Sequence, residues 1–288
     1  MPSLRTIKRR IRSVRSISQV TKAMEMVSAS KMRRAQARVL ASRPYSDRLQ
    51  KLIADLAVHP SSEGATHPLL LQRETRNRVG MIVVTSDRGL CGGLNSNVIR
   101  RAAADLLELG GPSAVEMITI GRRGQDYMAR RGVGLRATFT HLGDAPGILA
   151  VQPAARIVMD EFSSGRIDAA FLVFPKFVNT MVQRVTVEQL LPVVPAKSME
   201  PQLEYIFEPS APEILAELLP RYVETQIYQA LLETIASEHS ARMIAMRNAT
   251  DNAKELISTL TLVYNKARQA AITKEIAEIA AGAEALAG

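Results

Sequence analysis

The segment that decides the fold is RYVETQIYQALLETIASEHSARMIAMRNATDNAKELISTLTLVYNKARQAAITKEIAEIAA, residues Arg221–Ala281, which runs for 61 residues without glycine or proline. A continuous helix of that length would measure roughly 90 Å. Its apolar and small residues alternate in steps of four and three, at Leu232, Ala236, His239, Met243, Met246, Thr250, Ala253, Ile257, Leu260, Tyr264, Ala267 and Ala271. This 3.5-residue period predicts one strand of a left-handed coiled coil.

The other end of the chain offers a partner helix, since residues 3–43 also lack glycine and proline. Apolar residues recur every three or four positions, at Leu4, Ile7, Ile11, Val14, Ile17, Val20, Met24 and Val27. Arg43-Pro44 predicts a break or kink, after which the helical pattern resumes to about Val58. Because the intervening chain must bridge the two helices at one end, we predict an antiparallel pair. The longer helix should extend alone by about 20 residues, or ~30 Å.

Short apolar runs alternate with helical patterns in the middle of the chain. The predicted strands are Val79–Thr85, Val115–Ile120, Leu135–His141, Ala169–Phe174 and Met181–Leu190, and the predicted helices are Asn95–Glu108, Arg122–Arg131 and Gln152–Ser163. This alternation favours a mostly parallel sheet, whereas the short connection between the last two strands favours an antiparallel pair at its edge. We therefore expect a coiled-coil helix over residues 1–58, an α/β domain over residues 75–195 and a second coiled-coil helix over residues 210–288.

The positive charge of the chain is concentrated at its start. The net charge is +9, and residues 1–43 hold twelve Lys or Arg against one acid, Glu25. Such a segment could contact nucleic acid, anionic lipid or an acidic protein, or be a transit peptide. The absence of interleaved aromatic residues disfavours nucleic acid. No apolar run approaches the ~20 residues of a membrane span. The single cysteine, Cys91, excludes an internal disulfide and fits a reducing compartment.

The clearest candidate for a binding site is the glycine-rich turn TSDRGLCGGLN, Thr85–Asn95, between a predicted strand and a helix. Its glycine spacing does not match G-x-G-x-x-G, and the next strand lacks a following acidic residue, so a structural turn is favoured over a nucleotide site. A helix N-terminus could lower the pKa of Cys91, but a buried thiol is the favoured interpretation. The histidines lack metal-ligand spacing, and we expect His239 to be packed in the helical stripe. We predict no catalytic, cofactor or metal site.

Several motifs together resemble one family. They are TKAMEMVSASKM (Thr21–Met32), ASRPY (Ala41–Tyr45), TSDRGLCGGLN, YIFEP (Tyr205–Pro209), MRNATDN (Met246–Asn252) and YNKARQAAITKEI (Tyr264–Ile276). Their sequence and order are similar to those of the gamma subunit of F-type ATP synthases, over essentially the whole chain. The family pattern begins within the first ten residues, which argues against a transit peptide.

The resemblance implies a non-catalytic central-stalk rotor subunit. Its fold would be a long antiparallel coiled coil of N- and C-terminal helices plus a Rossmann-like α/β domain. One gamma chain would stand in a ring of three alpha and three beta subunits, with the epsilon subunit and the c-subunit ring at its foot, and would couple ion-driven rotation to ATP synthesis and hydrolysis. The family's chloroplast version carries an extra cysteine pair, which this chain lacks. The resemblance therefore favours a bacterial-type enzyme, with the subunit peripheral on the cytoplasmic face of the inner membrane and without nucleic-acid binding.

The resemblance also implies contact residues. The expected beta-subunit coupling contacts are Lys22, Met24, Glu25, Arg242, Gln269 and Thr273, and the expected c-ring contacts are Tyr205 and Glu208. Each has a simpler alternative: Met24 could pack in the apolar stripe, Arg242 could pair with Glu238 on the same helix face, and the c-ring pair could cap a loop. Two other classes stay open from the residues alone. One is a nucleotide-binding α/β protein that dimerises through its arms, and the other is a basic coiled-coil DNA binder. The coupling ion and the size of the c ring are not encoded in this chain.

Overall fold

A computed structural model describes residues 3–58, 67–73, 77–194, 208 and 210–287. Its helices and strands, in chain order, are α1 (Leu4–Val58), β1 (Val79–Val84), α2 (Leu94–Glu108), β2 (Val115–Ile120), α3 (Arg122–Arg130), β3 (Leu135–Phe139), α4 (Gln152–Ser163), β4 (Ala169–Phe177), β5 (Gln183–Leu191) and α5 (Ala211–Ala287). Two compact units result. The smaller unit comprises Met1–Val27 with Met243–Gly288, and the larger unit comprises Ser28–Arg242.

The larger unit is built on a five-stranded sheet with the order β3-β2-β1-β4-β5. β1 runs parallel to both β2 and β4, β2 runs parallel to β3, and β5 pairs antiparallel with β4. All six residues of β1 are buried, as expected for a central parallel strand that is covered on both faces. The predicted sheet is thus confirmed, including its antiparallel edge pair.

The two faces of the sheet bury different elements. Met81 and Val83 of β1 point to the face covered by α2 and α3, where Val98 and Met128 are buried. Successive residues of a strand point to opposite faces, so Ile82 and Val84 pack on the other side of the sheet. That side is covered by α4 and by the portions of α1 and α5 that belong to the larger unit. The resulting core has three layers, with helices above and below the sheet.

The prediction that the helix breaks at Arg43-Pro44 is wrong, because α1 continues through Pro44 to Val58. Proline removes one helical N–H and disfavours the helical conformation of the preceding residue. Packing against α5 on both sides of the proline opposes that cost. Ser42 Oγ donates to Gln229 Oε1 at 2.5 Å, and Gln226 Nε2 donates to Ser46 Oγ at 3.3 Å. These two pairs also show that the helices run antiparallel in the larger unit.

The coiled-coil stripe of α5 is confirmed as far as Ala267, but Ala271, its last predicted member, is exposed. The helix begins at Ala211, one residue after the predicted bound of 210, and passes through Pro220. The stripe residues that are buried are Leu232, Ala236, His239, Met243, Met246, Thr250 and Ala253, and those that are half-buried are Ile257, Leu260, Tyr264 and Ala267. From Arg268 to Ala283 every side chain is exposed. Residues 268–283 of α5 are therefore unpaired among the described residues of the smaller unit, as the difference in helix length predicts.

The stripe predicted for α1 is wrong in its second half. Ile17, Val20 and Val27 are 52%, 59% and 56% exposed, respectively. The residues buried in their place include Thr21 and Glu25. The buried positions keep the 3.5-residue period, so the seam passes through polar side chains and leaves the apolar ones on the outer surface.

Hydrogen bonds across the helix pair explain why a polar seam is stable in the smaller unit. Thr21 Oγ1 and Thr250 Oγ1 lie 2.7 Å apart, and Arg247 Nε donates to Glu25 Oε1 at 3.1 Å. Buried polar groups are tolerated when each finds a partner. The pairing is antiparallel here too, since the higher-numbered residue of α1 meets the lower-numbered residue of α5.

Candidate functional site

The carboxyl edge of the sheet is where an open α/β fold usually binds its ligand, at the point where the strand order reverses. That point lies between β1 and β4 in this chain. Here α5 contacts the end of β4: the Phe177 amide donates to Glu233 Oε2 at 3.2 Å, and Ser237 Oγ donates to the Pro175 carbonyl oxygen at 3.0 Å. The chain's own helix therefore occupies the edge at which a nucleotide would bind in a doubly wound fold.

The glycine-rich turn that follows β1 makes its polar contacts within the chain. The Asp87 carboxylate accepts from the backbone amides of Arg122 and His141, each at 2.9 Å. Arg122 begins α3, so a side-chain carboxylate already satisfies an amide at a helix N-terminus where an anion would otherwise bind. The Asn95 side chain also bonds to Ser86. These contacts agree with the interpretation of the turn as structural.

Cys91 lies within this turn and is 2% exposed. Burial raises the pKa of its thiol, although Ser86 and the Arg242 charge act in the opposite direction. Asn95 Nδ2 donates to its sulfur at 3.2 Å. The predicted buried thiol is confirmed, and its surroundings favour the unreactive neutral form.

Arg242 connects α5 to the same turn. Its guanidinium donates to the Gly89 carbonyl oxygen from Nη2 at 3.0 Å and from Nε at 3.3 Å. Its Nη2 also pairs with Glu238 Oε1 at 2.5 Å, and the two side chains are 8% and 11% exposed. The pair with Glu238 was anticipated from their spacing, but its burial was not. Burial raises the pKa of Glu238, and the nearby Arg242 charge opposes that rise.

His239 lies beside Arg242 and is 2% exposed, so the expected packing of this histidine is confirmed. Its Nδ1 is 3.4 Å from Arg242 Nη1, and its Nε2 is 3.4 Å from Asp144 Oδ1. Burial lowers the pKa of His239 to about 4, even though the Asp144 charge raises it. The imidazole is therefore neutral near pH 7.

Asp144 lies in the loop after β3 and bonds to α1. Lys31 Nζ donates to Asp144 Oδ2 at 2.5 Å, and Arg38 Nη1 donates to the Asp144 carbonyl oxygen at 2.9 Å. Burial alone would raise the pKa of Asp144, but the Lys31 hydrogen bond and the surrounding cations hold it below its usual value. Sequence reasoning missed Asp144, since nothing in its local sequence marks it.

Three residues with expected coupling roles, Lys22, Met24 and Glu25, lie on α1 in the smaller unit. Glu25 is 6% exposed and Met24 is half-buried. Lys22 Nζ bonds to Glu25 Oε2 at 3.0 Å, while Arg247 holds the other carboxylate oxygen. Hydrogen bonds from Lys22 and then Arg247 lower the pKa of Glu25. Sequence reasoning missed Arg247; the signal was that Glu25 is the sole acid among residues 1–43.

Apart from Arg242, the other expected contact residues are exposed where the structure describes them. Gln269 and Thr273 are exposed on the unpaired part of α5. Glu208 is exposed, and Tyr205 lies outside the described residues. The structure thus brings Lys22, Met24 and Glu25 together on α1.

The outer surface of the smaller unit is both apolar and cationic. Val20 and Met26 of α1 are each 59% exposed. On the unpaired part of α5, Ile276 is 63% exposed and Ile279 is 67% exposed. Most of the Lys and Arg side chains of α1 are exposed as well. Large exposed apolar surfaces usually mark contacts with other molecules. Among the described residues, no helix combines the length and apolar character needed to cross a membrane.

These features define a class of protein: an antiparallel two-helix coiled coil with an inserted α/β domain whose usual ligand edge is occupied by its own helix. A family model described as ATP synthase matches residues 3–286. The chain is 53% identical to the ATP synthase gamma chain of Chloroflexus aurantiacus over 288 residues, which cover 99% of each chain. It is 52% identical to the gamma chain of Dehalococcoides mccartyi, with 100% of each covered. The chain therefore belongs to the ATP synthase gamma-chain family.

Solved structures agree with this assignment. The chain matches the central stalk and c ring of the Tetrahymena thermophila mitochondrial ATP synthase with a TM-score of 0.62 and 25% identity, covering 80% of this chain and 99% of the other. The Euglena gracilis mitochondrial ATP synthase rotor shares the fold, with a TM-score of 0.66, 19% identity and coverage of 93% and 98%. As a gamma chain, this protein is a non-catalytic rotor subunit of the central stalk.

Proposed function

We propose that this chain couples ion-driven rotation of a c ring to ATP synthesis and hydrolysis in a ring of three alpha and three beta subunits. The observation that carries the proposal is the helix pair of the smaller unit, whose outer surface is apolar and cationic although its seam is closed. A single asymmetric pair inside a three-fold ring presents a different surface to each catalytic site. Differential contact of this kind is what shifts a site between affinity states.

The beta-subunit contacts proposed for coupling are Lys22, Met24, Glu25, Arg242, Gln269 and Thr273. The exposed side chains of Lys22, Gln269 and Thr273 are available for direct contact. Glu25 and Arg242 are buried and bonded within the chain, so their contribution is to hold the helices in place. An acidic loop on the beta subunit is the natural partner for the cations of α1.

The foot of the protein is proposed to contact the c ring through Tyr205 and Glu208, with the epsilon subunit alongside. The subunit would then be peripheral on the cytoplasmic face of a bacterial inner membrane, held there through the c ring. Supporting this location, the similar gamma chains include those of the bacteria Chloroflexus aurantiacus and Dehalococcoides mccartyi.

The proposed assembly is tested by stoichiometry. The chain is co-expressed with alpha and beta subunits from the same source, and the complex is purified and weighed by native mass spectrometry. We expect one copy of this chain with three alpha and three beta subunits. Two or more copies per ring, or no co-purification, would contradict a single rotor.

The proposed coupling contact at Met24 is tested with a matched pair of variants. Met24→Lys adds a cation beside the half-buried part of α1, whereas Met26→Lys adds the same charge at a position that is 59% exposed. We expect Met24→Lys to lower ATP-driven ion uptake per ATP hydrolysed in membrane vesicles by more than it lowers assembly, and to exceed the effect of Met26→Lys. Equal uptake ratios for the two variants would remove Met24 from the proposal.

A further inference from the structure

A connected polar network joins both long helices to two loops of the α/β domain within the larger unit. We name it the Asp144 network and define it as Lys31, Asp144, Glu238, His239 and Arg242. It runs from α1 to the loop after β3, continues to α5, and ends at the Gly89 carbonyl oxygen in the turn after β1. The larger unit begins at Ser28 and ends at Arg242. The helical members of the network therefore lie within four residues of its two ends in sequence.

The arrangement around His239 determines which ring nitrogen carries the proton. An arginine guanidinium has donors but no acceptor, so Nδ1, which faces Arg242 Nη1 at 3.4 Å, presents its lone pair. The proton of the neutral ring is then on Nε2, where it faces Asp144 Oδ1 at 3.4 Å. His239 thus accepts a hydrogen bond from Arg242 on one side and turns its Nε2–H toward the Asp144 carboxylate, without a hydrogen bond, on the other.

Asp144 is a half-exposed loop residue that is bonded to α1 twice. Lys31 holds the carboxylate and Arg38 holds the backbone carbonyl. An exposed aspartate with one ion pair would contribute little to stability. Here the carboxylate also faces, at 3.4 Å, a histidine side chain of α5 that is only 3% exposed, so it lies against both helices.

We propose that Asp144 is a positioning residue for torque transfer: through Lys31 and His239 it fixes α1 and α5 to the loops after β3 and β1, so that the helix pair turns with the α/β domain without slip. The inference rests on the proposed rotor function. It assigns a role to Lys31, Asp144 and His239, which are not among the proposed beta-subunit or c-ring contacts. Loss of the network lowers the work delivered per rotation while leaving the subunit assembled.

The test uses the complete ATP synthase in inverted membrane vesicles, with uptake of protons and of sodium ions measured per ATP hydrolysed. Asp144→Asn is compared with Asp126→Asn, since the two aspartates are 42% and 43% exposed and each faces a cation. We expect the uptake ratio to fall about two-fold or more for Asp144→Asn and to stay at the wild-type value for Asp126→Asn. Equal ratios for the two variants would overturn the proposal.

A second pair of variants tests His239. His239→Gln supplies an amide oxygen toward Arg242 and an amide N–H toward Asp144, whereas His239→Leu fills similar space without either group. We expect the uptake ratio to be retained in His239→Gln and reduced in His239→Leu. A general packing role predicts the reverse order, because leucine is the better apolar filler.

A double variant and the assembly of the complex provide two further tests of the Asp144 network. Lys31→Met and His239→Leu break the same network at two places, so the double variant should be no worse than the poorer single variant. Additive losses would overturn the proposal, as would failure of Asp144→Asn and His239→Leu to form any complex. A different result would contradict the proposed rotor function itself: the wild-type chain assembles into the ATP synthase, but ATP-driven ion uptake by the vesicles is the same with and without it.

Discussion

Replacing Arg242 by methionine is the sharpest test of the energetics at the sheet edge. The change keeps a long side chain but removes the charge that faces Glu238, and both side chains are about nine-tenths buried. Breaking a buried ion pair from one side costs about 3–5 kcal/mol, because the remaining charge is left without a partner. Arg242 also donates to the Gly89 carbonyl oxygen, which would lose two hydrogen bonds. We expect Arg242→Met to lower the free energy of unfolding by about 3 kcal/mol at neutral pH.

The pH dependence follows from the sign of the Glu238 shift. Burial already raises the pKa of Glu238 above the value of 4.5 that applies to the unfolded chain, and removal of the Arg242 charge raises it further. Between those two pKa values the folded state binds more protons than the unfolded state. The unfolding free energy of the variant therefore falls as the pH rises through the raised pKa, and it recovers as the pH is lowered toward 4.5. The deficit relative to wild type should be larger at about pH 8 than at about pH 5.5.

The assay is equilibrium unfolding in urea, followed by circular dichroism at both pH values. Arg247→Met is the matched control, since Arg247 lies on the same helix but its side chain is 58% exposed. The control should cost less than Arg242→Met, because Lys22 still holds the buried Glu25 carboxylate. Adding Glu238→Gln to Arg242→Met should restore most of the loss, because no buried charge then remains. The reasoning fails if the two arginine variants lose equal stability, or if the deficit of Arg242→Met grows toward acid pH.

Three further predictions concern other parts of the chain. Gly121 has a φ of +98°, and in Gly121→Ala the new Cβ would lie 2.1 Å from a carbonyl oxygen. We expect this variant to lose more than about 3 kcal/mol of unfolding free energy in urea. Gly134→Ala is the control, since its Cβ would lie in open space, and should change that free energy by less than about 1 kcal/mol. Cys91 should react with iodoacetamide at least about ten-fold more slowly in the folded chain than in urea, as measured by mass spectrometry, because burial raises its pKa; equal rates would contradict a buried thiol. Thr21→Val or Thr250→Val alone should cost about 0.5–1.5 kcal/mol, whereas the double variant should be nearly neutral, since it removes both hydroxyl groups together. A double variant as costly as the two single variants combined would show that the hydroxyl pair is not the source of the loss.

Local sequence patterns predicted the elements whose cause is local. The apolar run of β1, the 3.5-residue stripe of α5 and the strand-helix alternation each depend on residues within a few turns or positions of one another. The same patterns predicted the parallel sheet and its antiparallel edge, since loop length limits how strands can connect. They also placed the buried thiol and the packed histidine.

The candidate site was only partly accessible in this way. The motif resemblance selected Lys22, Glu25 and Arg242, but it did not reveal that Glu25 and Arg242 are bonded within the chain. Arg247 and Asp144 were missed. Their partners lie more than 90 residues away in sequence, a separation over which no local period operates.

Sequence alone therefore determined that two long helices must each bury a stripe, because periodicity is a property of the isolated chain. It also determined that the segment between these helices in the chain forms a mostly parallel sheet. Only the tertiary structure decided which face of α1 is buried after Val14, where Thr21 and Glu25 replace the apolar Ile17 and Val20. It also carried α1 through Pro44. In both cases side chains of α1 form hydrogen bonds to α5, and a side chain without its distant partner gives no sign of such bonds.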